Sequence, residues 1–182
     1  MKNIFIVLVC LFVSFDILAQ AARQKDSHEH GAAIIKMVME DEKLQIEFEV
    51  PSESLIGFEH FPKSQSNREN FNKAIKILSD PSKIFSQPIK AECLLVGMNV
   101  SQSLFSSEEE HGHDESEKSE IHSEFNSKYQ WNCHHLDDLD SIGTQLMNIF
   151  PRIEEIRVSW IAENGQGSIE LESKDDPIRG WK

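Results

Sequence analysis

Between Glu108 and His122 the chain reads EEEHGHDESEKSEIH, with no core-forming side chain before Ile121. Such a run cannot bury enough apolar surface to offset the conformational entropy of ordering it. It therefore predicts a solvated, flexible His/acid-rich loop over residues 106–123. Any packed domain must be assembled from the segments on either side. The loop's residue types are imidazole and carboxylate, a donor set that suits zinc. His111, His113 and His122 sit among seven acids, and His111-Gly112-His113-Asp114 offers two alternate imidazoles, a hinge and a carboxylate. Near neutral pH the acids are ionised and imidazole is largely neutral, as metal binding requires.

Residues 1–21 read as a secretory signal peptide. Lys2 is the positive start, Ile4–Phe15 is apolar except for Ser14, and Ala19-Gln20-Ala21 is an A-x-A cleavage site. The apolar run is too short to span a bilayer comfortably. Residues 22–182 then form a single metal-binding domain, expected in the periplasm with no membrane attachment after cleavage. The formal charge of −13 is unaffected by removing Lys2 and Asp16 together. It repels nucleic acid and anionic membranes and attracts cations.

Cys93 and Cys133 remain once Cys10 leaves with the signal. In an oxidising compartment an isolated pair most simply forms one disulfide. Two thiolate zinc ligands are the alternative, although no C-x-x-C spacing supports them.

Alternation places the strands. Ala32–Met39 reads as a buried strand, Glu40–Lys43 as a turn, and Leu44, Ile46, Phe48 and Val50 as one face of a second strand ended by Pro51. Extending the first strand backwards puts His28 and His30 on one side, about 7 Å apart and able to converge on a metal, with Glu29 facing away. Ser66-x-x-Glu69 predicts a capping box opening a helix whose buried stripe is Phe71, Ala74, Ile75 and Leu78. Ile89–Leu104 and Phe125–Cys133 predict two more strands, equidistant from His113, with the loop at the tip and the cysteines at the base. Pairing 93 with 133 directly would put Leu94 and Val96 opposite Asn132 and Gln130. Either a bulge near Gly97 shifts the register or the strands lie in different sheets. His134–Phe150 is expected to be helical through Leu139, Ile142, Leu146 and Ile149, with adjacent His134 and His135 pointing too far apart to share a metal. Ile156–Ala162, an Asn164-Gly165 turn and Ile169–Leu171 form a last hairpin. The tail after Asp175, including Trp181, carries little patterning. The expected class is α+β: antiparallel β-sheet of about six strands, two helices and one disulfide.

Recognised catalytic signatures are missing. There is no G-x-S-x-G, P-loop, dinucleotide fingerprint or H-E-x-x-H. The paired carboxylates sit in a polar loop where nothing raises a pKa for acid catalysis. A metalloenzyme would need a rigid site with an open position, and an enzyme is not expected. His60, between Phe58 and Phe61, reads on its own as a hydrogen-bonded structural histidine.

Several stretches together resemble the ZrgA-like periplasmic zinc-binding proteins of Gram-negative bacteria. They are HEHGAA, IEFEVPSESLIGFEHFP, the AEC strand, the His-rich loop, the strand ending at Cys133, and IFPRIEEIRVSW. GFEHFP and FPRIEEIRV are the more specific; the loop is specific only in combination. The resemblance runs from His28 to about Leu171. It implies zinc, Zn(2+), as the bound ion, and a role in buffering zinc or delivering it to a zinc ABC importer, directly or through another periplasmic zinc-binding protein. It carries ligand roles to His28 and His30, to His111, His113 and His122, and to His60 as the histidine of GFEH. Family loops are usually longer and richer in histidine; here Glu and Ser take much of that space. The competing reading is a secreted structural or interaction domain whose acidic loop is merely solvated.

Overall fold

Side-chain alternation builds the framework, and a computed structural model describes it for residues 29–104 and 123–182. The expected signal segment and most of the 106–123 loop lie outside the described residues. In chain order the elements are β1 (Ala32–Glu40), β2 (Lys43–Pro51), α1 (Ser52–Ile56), α2 (Gln65–Leu78), β3 (Phe85–Ser86), β4 (Cys93–Gln102), β5 (Glu124–Cys133), β6 (Gly143–Thr144), α3 (Leu146–Ile149), β7 (Glu155–Ala162) and β8 (Gly165–Leu171).

Six strands make one sheet in the order β4-β5-β2-β1-β7-β8, and β3 pairs with β6 in a small second sheet. The expectation of a purely antiparallel arrangement is corrected at one place: β1 and β7 run parallel, with Ile35 beside Val158. The reason is topological. β5 ends at the Cys133 end of the sheet, and residues 134–154 carry the chain back to the opposite end before β7 begins. A parallel neighbour needs such a long return.

One face of the sheet is buried. Ile35, Met37, Ile46, Phe48, Phe125, Tyr129, Val158 and Trp160 line it, and Ala74, Leu78, Leu139, Ile142, Leu146 and Ile153 pack over them. β1 is thus buried on one side only, because Lys36 and Val38 point outward. Tyr129 Oη donates to the Leu78 carbonyl at 2.8 Å, tying α2 to the sheet. Burial pushes the Tyr129 pKa up to about 12.

α2 starts two residues earlier than the capping box predicts. Ser64, with extended backbone, is the N-cap, and its side chain accepts from the Asn67 amide. Glu69 instead accepts from Gln65 Nε2. Ala74 and Leu78 are buried, and Phe71 and Ile75 pack at the margin.

The helix expected over His134–Phe150 does not form. That stretch is a 3-10 turn at Leu136–Asp138, then β6, then the short α3; with α1, which the sequence pattern did not predict, the described residues hold three α-helices rather than two. Asp137, Asp138, Asp140 and Ser141 compete locally with helical hydrogen bonding. Ile142 pairs instead with Ile178. Leu139 and Ile142 still reach the core by this irregular path. The tail is better fixed than its composition suggests. Trp181 packs edge-on against Trp160 and donates Nε1–H to the Leu139 carbonyl at 2.6 Å.

Of the two register alternatives the bulge is the one present. Cys93 pairs with Cys133 and forms the disulfide, and the register shifts between Leu95 and Gly97. Leu94 therefore lies opposite Asn132, whereas Met98 and Val100 lie opposite inward-facing Tyr129 and Ser127. The shared face expected for Leu94, Val96, Met98 and Val100 is broken at that point.

Candidate metal site

Strand directions bring four chain ends together. β1 begins, β2 ends, β5 begins and β4 ends at one end of the sheet, since Pro51 pairs with Glu124 and Gln102 with Phe125. His30, the 57–61 turn and both roots of the 105–122 segment gather there. The disulfide sits at the far end and occupies both cysteines, which removes the thiolate alternative.

His30 is held from below by Gly31. The Gly31 amide donates to Ser54 Oγ at 2.9 Å, and its carbonyl accepts from the Glu154 and Glu155 amides. Gly31 has φ +85°, a left-handed conformation natural to glycine. This turn corrects the backward extension of β1: the strand starts at Ala32, so His30 is presented from a turn. The Glu29 carboxylate lies 2.8 Å from the Arg157 guanidinium. Hydrogen bonding to Glu29 leads the causes that raise the Arg157 pKa.

Glu59 and His60 come from the turn after α1. Gly57 caps that helix at φ +86°, its amide bound to the Glu53 carbonyl. His30 Nε2 lies 3.6 Å from Glu59 Oε1, an imidazole beside a carboxylate with room for little more than an ion or proton between them. His60 is exposed rather than buried. Its ring stacks on Phe58 at 5.0 Å, and Nδ1 lies 2.8 Å from the Phe61 carbonyl. A carbonyl only accepts, so Nδ1 carries the hydrogen and Nε2 keeps its lone pair for a ligand. That is how metal-binding histidines are commonly oriented.

The loop's C-terminal root is locked to the same turn. Ser123 is buried; its Oγ donates to the Glu59 carbonyl at 3.1 Å, and its own carbonyl accepts from the Ser52 amide. On the other strand, Ser103 and Glu124 exchange hydrogen bonds and Leu104 is buried.

His28, His111, His113, Asp114 and His122 lie outside the described residues. Among the described residues no group of three or more His, Cys, Asp or Glu is placed to hold a metal. Of these side chains the structure brings together His30 and Glu59, and His60 follows Glu59 in the same turn. His134 and His135 stand at the opposite end, their amides bound to the Glu92 and Ala91 carbonyls. Sequence reasoning passed over Glu59, although it lies inside GFEH, and over Ser123; nothing in a serine before a strand signals an anchor.

The profile described as ZrgA family zinc uptake protein matches residues 27–179. No curated protein matches the chain.

Proposed function

The chain belongs to the ZrgA family of zinc uptake proteins, and from that premise we propose that it is a non-catalytic periplasmic protein that collects zinc and buffers it or delivers it to a zinc ABC importer. Zinc is its cargo. One observation carries the reading furthest: the loop root at Ser123 is bonded to the turn that bears Glu59 and His60. His122 immediately precedes that anchor in the sequence.

This placement supports the following assignment of ligands. His30 and His60 would supply fixed imidazoles, with Glu59 as carboxylate ligand or orienting partner. His28, His111, His113, Asp114 and His122 would complete the coordination from the flanking chain. Tetrahedral zinc accepts nitrogen and carboxylate oxygen together. Ordering the arm consumes part of the binding energy, so affinity should be lower than for a rigid four-ligand cage. For a carrier that must release its metal to an importer, such moderation is an advantage. Among the described residues no helix is long and apolar enough to cross a membrane.

Zinc titration of the purified protein tests the proposal. Stoichiometric binding that weakens about tenfold or more in His30→Ala and His60→Ala is the expected result. Both side chains are exposed, so neither substitution should disturb the fold. Absence of stoichiometric, histidine-dependent binding would favour a merely solvated loop on a structural domain.

A further inference from the structure

His60 is held at two points although its ring is exposed. The imidazole stacks on Phe58, with centroids 5.0 Å apart and planes 25° from parallel. Its Nδ1 lies 2.8 Å from the Phe61 carbonyl. An exposed side chain ordinarily keeps its rotamer freedom, because fixing it costs entropy and buries little surface in return. Here the two contacts restrain different motions. The stack sets the plane in which the ring lies, and the carbonyl sets which edge of the ring faces the backbone. With both in place Nδ1 carries the hydrogen, and Nε2 is the one ring atom with a lone pair to offer.

Phe58 is itself anchored. It is partly buried and packs against the core. The turn around it is fixed on both sides. Gly57 caps α1 in a left-handed conformation, the Glu59 carbonyl accepts from Ser123 Oγ at 3.1 Å, and Pro62 is buried.

We propose that Phe58 is a positioning residue for zinc, its ring holding His60 so that Nε2 is ready for the metal. The proposal rests on the zinc-collecting role above and adds to it a side chain with no ligand atom. Packing alone does not account for the pair. Phe58 reaches the core by its own ring, and an exposed imidazole returns little burial to the fold. A ligand already ordered before the metal arrives loses no rotamer entropy on binding. For one such side chain the difference is about three- to tenfold in affinity.

Zinc titration of Phe58→Leu and Phe58→Tyr tests this. Leucine keeps much of the apolar contact with the core and removes the stack, whereas tyrosine keeps both. Phe58→Leu should bind zinc about three- to tenfold more weakly, and Phe58→Tyr as tightly as the unaltered protein. In a His60→Ala background Phe58→Leu should have no further effect. Long-range proton–nitrogen NMR of the zinc-free protein gives a readout that a merely structural role would not move. His60 should be protonated at Nδ1 in the unaltered and Phe58→Tyr proteins, and should be a mixture of both tautomers in folded Phe58→Leu. Four results would each overturn the inference and leave the zinc-collecting role standing: histidine-dependent binding that is as tight in Phe58→Leu, a loss that persists in the His60→Ala background, a loss that tyrosine does not restore, or a His60 protonated at Nε2 in the unaltered protein. An unaltered protein without histidine-dependent zinc binding would overturn both.

Discussion

Ser123 Oγ donates to the Glu59 carbonyl at 3.1 Å, joining the last residue before β5 to the turn that carries His60. Ser123→Ala would leave a partly buried carbonyl without its donor. A loss of about 1 kcal/mol in chemical denaturation is expected. Zinc affinity should fall with it, because the segment that carries His122 would be rooted less tightly, by the Ser52–Ser123 backbone bond without the side-chain tie. Unchanged affinity at reduced stability would show the anchor to be structural only.

Arg152 lies against Gly57. A Cβ at position 57 would stand 2.9 Å from Arg152 Cζ, on a backbone at φ +86° that disfavours any side chain. Gly57→Ala should therefore cost about 1–3 kcal/mol of stability. Arg152→Ala in the same chain removes the collision but not the backbone strain, so it should restore only part of the loss. A thermal or denaturant midpoint for the single and double variants decides this.

The Cys93–Cys133 bridge spans 40 residues of chain. Replacing both cysteines by serine should lower stability by about 4 kcal/mol on the loop-entropy model. Zinc stoichiometry should survive under conditions where the variant is still folded, since the bridge stands at the opposite end from His30 and His60. Loss of zinc from folded variant would revive thiolate ligation.

Tyr129 is the chain's single tyrosine, so tyrosinate absorbance reports it alone. Its pKa is pushed up to about 12, chiefly by burial, against a reference near 10. The folded state thus holds a proton that the unfolded state gives up. This contribution to stability is fully present below about pH 10 and is lost as pH rises through about 12. Absorbance should show no tyrosinate at about pH 10.5 while the protein is folded, then a rise accompanying alkaline unfolding. Titration near pH 10 in folded protein would contradict the buried placement.

Much of the sheet could be read from period-two patterning: β1, β2, β5, β7 and β8 fall where Ile35, Phe48, Tyr129, Val158 and Leu171 put them. The β4 register could be narrowed only to alternatives, because a bulge leaves the same residue types in place while changing what they face. Residues 134–150 misled because Leu139, Ile142 and Leu146 have helical spacing by accident of where an irregular path dips into the core. The parallel β1–β7 pair had no local signal at all; it depends on where the return after Cys133 lands. At the candidate site His30 is a candidate from its alternate spacing with His28, whereas His60 reads on its own as structural and becomes a candidate only through the resemblance. The meeting of His30 with Glu59, and of that turn with Ser123, was not legible, since it is made by contacts across 29 to 64 positions of sequence.

The central claim is that fixed histidines and the acidic arm serve one zinc site. Zinc titration of a protein lacking residues 108–120, in the unaltered and His60→Ala backgrounds, tests it most directly. The account predicts that either change alone weakens binding and that the two together cost no more than the larger of them, as coupled parts of one site do. Unchanged stoichiometry and affinity after the deletion, or losses that simply add, would contradict it.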